Sequence, residues 1–451
     1  MEERRENIMG TQPINRLLPS MAFPIMLSML VQALYNVVDS VFVSMVSENA
    51  LTSVSLAFPV QNLMIAVSVG TAVGINALLS RRLGEKNFEA ANKVAENGIF
   101  VTVLSWAVFA VFGAACSGLF MGAFTQNAEI LAGGTDYMWI VTVFSLGLFM
   151  SVTMERVLQV TGKTVYQMIS QMTGAVVNII LDPVFIFGWL GLPAMGIAGA
   201  AIASSASEMI SMVFFIVYTR LRIDHRKYGL FRFAGFSSKL LRGMLNVSVW
   251  TMIQMFVAIS TWFFFFIAVE HLGERPLAVT NIIRSVSGIV FVIVSSFAST
   301  ASTLVSNQMG AGQPELVAGT TRRIVGMCYL IVIPLLALFA VFPELILRIY
   351  TDEQSLIDGS VASLRVMLSS YLISVPAFIR FNVVSGTGNT RSALMLELAT
   401  LSVYAIYTVW IVLYRHSDVA LCWTTEHVYA LVLLLLASLY LKKARWQDRK
   451  I

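Results

Sequence analysis

The chain has 451 residues, 57% hydrophobic and only 12% charged, with a mean hydropathy of +0.78 and a formal net charge of +5. A soluble globular chain carries roughly 25% charged residues, so this one has too little polar surface to cover a body in water. A water-soluble globule is excluded, and the surplus apolar surface is expected to face lipid.

The N-terminal MEERRENIMGTQPINR is charged and polar for too long to be a cleavable signal peptide, so the first apolar stretch is expected to stay in the membrane. A hydrocarbon core of ~30 Å takes ~20 apolar residues as helix. In lipid the backbone must be satisfied within each segment, which calls for helices throughout. Short alternating segments of the β-barrel kind are not seen. Twelve spanning helices are predicted.

The first, 17–46, contains Pro24, which should bend it, and a polar stripe of Ser28, Gln32, Asn36 and Asp39 at helical spacing. A carboxylate in hydrocarbon costs at least ~2.5–3.5 kcal/mol and is usually retained for a job, most often cation binding or proton relay. The second helix, 50–79, runs into the basic loop LLSRRLGEKN; the third and fourth are read as 94–120 and 134–158. The fifth, 164–188, holds NIILDPVFIF, which places Asn178 and Asp182 on one face at i,i+4. Pro183 lacks an N–H and frees the carbonyl of Ile179, another oxygen for a hard cation. The sixth, 195–219, offers the Ser204 hydroxyl at comparable depth and Glu208 nearer the inner side. A charged linker follows at 220–242.

The second half continues with 240–269, 278–305, 322–347, 358–385, 391–414 and 422–441. Arg284 lies near the outer end of the eighth helix and Glu397 inside the eleventh. Cys116, Cys328 and Cys422 lack CxxC spacing and read as packed free thiols; four scattered histidines and no HExxH argue against a zinc site. No GxxxxGK[ST] loop is present, so ATP is not an expected energy source.

With the N-terminus placed in the cytoplasm, the inner loops collect twenty-five of the 30 Lys and Arg residues, against Arg275, Arg348, Arg365 and Arg415 outside. This is the positive-inside asymmetry, and a wrong count of spans would destroy it. Both termini are therefore expected in the cytoplasm of a multi-pass protein of the cell (inner) membrane. The basic inner loops suit an anionic leaflet, and no nucleic-acid partner is needed to explain them.

The halves repeat. LLSRRLGEKN (78–87) resembles LVSNQMGAGQ (304–313), and VTG (160–162) resembles GTG (386–388) at the same offset. An all-α polytopic membrane protein with twelve transmembrane helices in two pseudo-symmetric six-helix lobes follows: 1–219, a linker 220–242, and 243–451. Parallel repeats of this kind are typical of transporters whose site lies between halves. The offset maps Asn178 and Asp182 onto Tyr404 and Thr408, so the acids have no copy in the second lobe.

Counted from Lys163, Asp182 stands roughly 28 Å up the fifth helix, and Asp39 reaches a similar level counted from Arg16. Two carboxylates at one height, with Asn178 and Ser204, form a candidate Na⁺ site. The same acids, desolvated and close together, could carry protons instead.

At this point NVVDSVFV, RRLGEKN, TGKT, NIILDPVFIF and MGIAGAAIAS together resemble the multidrug and toxic compound extrusion (MATE) family, over essentially the whole chain. The Asp39 and Asn178/Asp182 pattern is similar to the branch related to the DNA-damage-inducible protein F. That resemblance implies a coupling-cation site and drug cavity in the N-terminal lobe, and Pro24 matches a first-helix proline linked to bending. Members often carry threonine where Ser204 stands. Another branch has working carboxylates in the seventh and tenth helices; here the apolar segments NVSVWTMIQMFVAISTWFFFFIAV and VMLSSYLISVPAFIRFNVV have none.

The expected function is secondary active efflux, exchanging Na⁺ or H⁺ for amphipathic, often cationic, organic substrates by alternating access. The cation site would be Asp39, Asn178, Asp182 and Ser204, the cavity Gln32, Asn36, Glu208 and Arg284, and the hinges Pro24 and Pro183. No cofactor beyond the coupling ion, no enzymatic activity and a monomeric state are expected. A lipid-linked saccharide flippase is the alternative, though it calls for a more basic cavity than Arg284 alone supplies. An intramembrane protease is a third reading, but the GxGD context is missing.

Overall fold

A computed structural model describes residues 8–221, 235 and 237–447. The predicted basic residues Arg4, Arg5, Arg222, Arg226, Lys227, Arg232, Arg449 and Lys450, with most of the 220–242 linker, lie outside the described residues.

The described chain is helical throughout. The first half comprises α1 (Ile14–Ser44), α2 (Glu48–Gly84), α3 (Phe88–Gly122), α4 (Ala128–Val143), α5 (Leu146–Val160), α6 (Thr164–Ile186) and α7 (Gly196–Leu221). The second comprises α8 (Ser238–Glu270), α9 (Glu274–Gly310), α10 (Leu316–Val341), α11 (Gln354–Gly386), α12 (Thr390–Thr408) and α13 (Thr425–Lys443), with a π-helical continuation of α12 over Val409–Tyr414. Eleven of these helices, two of them counted with the short pieces that extend them, are each long and apolar enough to cross a membrane.

The twelfth span differs from its prediction. Instead of one helix over 134–158, α4 and α5 meet at a 42° bend. Side chains take up the backbone groups that the break exposes. Trp106 Nε1 donates to the Val143 carbonyl at 3.0 Å, Thr142 Oγ1 to Met138 O at 2.7 Å and Ser145 Oγ to Thr142 O at 2.7 Å. Such local satisfaction is what lets a helix break at membrane depth.

The repeated loops have a shared turn geometry. Gly162 and Gly388 sit at φ +75° and +83°, and Lys86 at +59° where its counterpart Gly312 has +69°. A left-handed residue ends one helix in each, while only one loop of each pair has an asparagine to begin the next: Asn87 accepts from Ala90 N and Asn389 from Ser392 N.

By density of contacts the chain divides into two units, Met1–Met252 and Ile253–Ile451. In unit 1, α1 lies along α6, α6 along α7, and α2 packs on α3, α4 and α5. Its core gathers Ala57, Val60, Met64, Phe109, Tyr137, Met138, Phe149 and Ala201. In unit 2, α9 packs on α11, α11 on α13, and α12 on α13.

Candidate cation site

Two contacts set the register of α1 against α6. At one end Thr164 Oγ1 donates to the Ser20 carbonyl at 2.9 Å. At the other, Val43 and Ile186 join Ala50 and Ala200 in one buried cluster, beside an edge-on pair of Phe42 and Phe187 rings 6.3 Å apart. The two helices therefore run parallel. Asp39 and Asp182 each lie one turn before the residue of the upper cluster, which puts them at the same level.

Asp182 and Asn178 are fully buried, with 0% exposure each. Asn178 Nδ2 lies 3.4 Å from Asp182 Oδ1 and 3.4 Å from Ser204 Oγ, so the amide links α6 to α7. Tyr35, one turn before Asp39 on α1, lies close enough to interact with the same Ser204. Asp39 is half-buried and within electrostatic reach of both Asp182 and Glu208. Tyr137, bonded by Gln61 Nε2 at 2.9 Å, faces all three acids.

The oxygens of this cluster are under-used. Asp39 Oδ1, Asn178 Oδ1 and Asp182 Oδ2 are buried without a hydrogen-bond partner. None of the three acids is ion-paired to a base among the described residues. Buried acceptors without donors are costly, and a cation supplies what the protein withholds. Carboxylate and amide oxygens of this kind are chemically suited to Na⁺ or, for the carboxylates, to protons. Among the described residues no group of three or more His, Cys, Asp or Glu side chains is arranged to hold a metal ion.

The sequence-predicted residues are distributed as follows. Asn178, Asp182 and Ser204 come together, with Asp39 within electrostatic reach of Asp182. Glu208, expected nearer the inner side, comes within electrostatic reach of Asp39. Ser28 is buried and its hydroxyl donates back to Pro24 O at 2.9 Å, while Gln32 and Asn36 are exposed. α1 runs unbroken through Pro24, and α6 through Pro183. Arg284 belongs to unit 2, where it pairs with Glu426 and is ringed by aromatic side chains. Glu397 is buried there, accepting from Tyr429 Oη at 2.8 Å.

Sequence reasoning missed Tyr35, Tyr137, Gln61 and Glu426. Tyr35 was within reach of it, since it shares the helix face of Asp39 at i,i+4. The others arrive from distant segments.

Two stretches, residues 24–184 and 251–411, match the MatE family model. The chain belongs to the MatE family. As a MatE protein it is a multi-pass membrane transporter and not an enzyme, and the two matches fall on the two halves of the sequence repeat. The chain is 24% identical over 392 residues to a probable multidrug resistance protein NorM of Thermotoga maritima, covering 86% of this chain and 83% of that one. It is 22% identical over 314 residues to an FAD transporter of Shewanella oneidensis, covering 67% of each. A MOP superfamily transporter from Pyrococcus furiosus shares the fold with a TM-score of 0.88 at 20% identity, over 98% of this chain and 100% of that one.

Proposed function

We propose that this MatE protein is an antiporter of the cell membrane. It would exchange Na⁺ or H⁺, taken up by Asp39 and Asp182, for an amphipathic organic molecule. The single observation behind this reading is the trio of partnerless buried oxygens, Asp39 Oδ1, Asn178 Oδ1 and Asp182 Oδ2, on two helices held in register with no base beside them. The drug-resistance names of several relatives support efflux, and the positive-inside pattern supports cytoplasmic termini.

The mechanism follows from charge. With no cation bound, Asp39, Asp182 and Glu208 repel one another inside one unit. Loading a cation offsets that repulsion and lets α1 close against α6 and α7, through Tyr35, Ser204 and Asn178. The ion drives transport only through different affinity for the two arrangements, with the two halves (1–219 and 243–451) rocking about the linker. A saccharide flippase would need basic residues here, and this cluster is acidic.

The test is uptake of ethidium into inside-out proteoliposomes under imposed Na⁺ or pH gradients. Gradient-driven movement is expected for the wild type and lost in Asp39→Asn and Asp182→Asn. Retention of driven movement in both variants overturns the reading.

A further inference from the structure

Arg284 is surrounded by aromatic rings. Its guanidinium carbon lies 4.9 Å from the ring centre of Trp423, 5.4 Å from Trp262, 5.7 Å from Phe265 and 5.9 Å from Phe266. The rings satisfy the group electrostatically as cation–π partners. They offer nothing to its N–H donors, which lie in the plane of the guanidinium. Only Nη1 has a carboxylate, Glu426 Oε1 at 3.4 Å, longer than the 2.7–2.9 Å usual for a charge-assisted bond. Nε and Nη2 are buried and make no well-formed hydrogen bond among the described residues, although the Tyr404 hydroxyl stands close enough to interact with the guanidinium. The side chain keeps 19% of its surface open, but at atoms other than the buried Nε and Nη2, so a ligand reaches these two donors only when a neighbouring side chain moves aside.

We propose that unit 2 carries a binding site for the anionic group of an aromatic, amphipathic cargo. Arg284 Nε and Nη2 would hold a carboxylate or phosphate oxygen pair, and the Trp262, Phe265, Phe266 and Trp423 rings would hold the apolar body. A guanidinium presents two parallel donors at the spacing of such an oxygen pair. Glu426 then acts as a weak internal stand-in, holding the positive charge until cargo arrives. The two units differ at this level: Tyr404, the repeat counterpart of Asn178, lies beside the Arg284–Glu426 pair, whereas Asn178 lies beside Asp182 with no base bonded to it among the described residues. As a statement about cargo, the inference rests on the transport reading above; as a binding site, it is testable without any gradient.

The experiment is quenching of tryptophan fluorescence by 4-nitrobenzoate in detergent-purified, delipidated protein, with the neutral 4-nitrobenzamide as its isostere. The anion is expected to bind the wild type at least about tenfold more tightly than the amide, since one charge-assisted bond is worth that much. Arg284→Gln should abolish the preference, and Trp262→Phe should reduce the quenching amplitude. Glu426→Gln removes the competing charge and should tighten 4-nitrobenzoate binding several-fold. If the pair is merely a cross-link between α9 and α13, Glu426→Gln weakens binding or leaves it unchanged, and the proposal falls. Equal affinity for acid and amide in the wild type also overturns it, as does displacement of the probe by equimolar phosphatidylglycerol, which would assign the site to a lipid headgroup. Asp39→Asn/Asp182→Asn protein should bind the probe normally, so failure of this site and failure of the antiport reading are separable.

Discussion

Val43 and Ile186 share one buried cluster, and each stands a single helical turn beyond an acid, Asp39 on α1 and Asp182 on α6. Packing of two apolar side chains thereby fixes the level of two charges that do not touch the cluster. Truncating Ile186 to alanine should cost about 2–5 kcal/mol through the cavity it leaves. It should also loosen the register, so gradient-driven transport is expected to fall further than the melting temperature in detergent implies. Ile186→Val, which removes one methylene, should lose about 0.5–1.5 kcal/mol and keep coupling.

A cation that completes the oxygens of Asp39, Asn178 and Asp182 binds the folded state alone and must stabilise it. NaCl is expected to raise the melting temperature relative to choline chloride at equal ionic strength. At a hundred times the dissociation constant the gain is about 2.7 kcal/mol. The difference should vanish in Asp182→Asn and shrink in Asn178→Leu. A melting temperature indifferent to Na⁺ in the wild type, with pH-driven transport intact, assigns the site to protons.

Glu208 owes its position to a glycine. A Cβ at Gly147 on α5 would stand 2.6 Å from Met209 N and 2.7 Å from Glu208 C, both backbone atoms of α7 that cannot swing aside. Gly147→Ala should force α7 away and destabilise the protein by about 1–3 kcal/mol, the usual cost of overpacking. Thermal unfolding followed by thiol labelling at the buried Cys328 measures this.

Glu397 is 2% exposed and receives the Tyr429 hydroxyl at 2.8 Å. Glu397→Gln keeps an acceptor for that hydroxyl and should leave stability nearly unchanged. Tyr429→Phe leaves the carboxyl buried without its donor and should cost about 1–3 kcal/mol. Equal losses in the two variants would mean that the charge of Glu397, rather than the bond, holds α12 to α13.

The twelve apolar stretches, the repeat and the candidate acids were legible because each is a local pattern. Hydropathy over about twenty residues reports a span, and i,i+4 spacing reports a helix face, which is how Asn178 was joined to Asp182. The α4–α5 bend was not legible. One of its carbonyls, that of Val143, is satisfied by Trp106, which comes from a different helix, and no short window of sequence contains both. Glu426 escaped notice for a similar reason: at the start of a helix it looks like an ordinary solvated acid until Arg284 is brought to it.

The sequence by itself determined that this is a helical membrane protein of two related halves with acids placed in apolar helices, since the cost of a charge in lipid depends on its own neighbours along the chain. Only the tertiary structure decided that Glu208 lies within reach of Asp39, that Asn178 joins α6 to α7, and that Arg284 belongs to an aromatic setting in the other unit. Those are contacts between segments far apart in the chain, and helix packing rather than local propensity sets them.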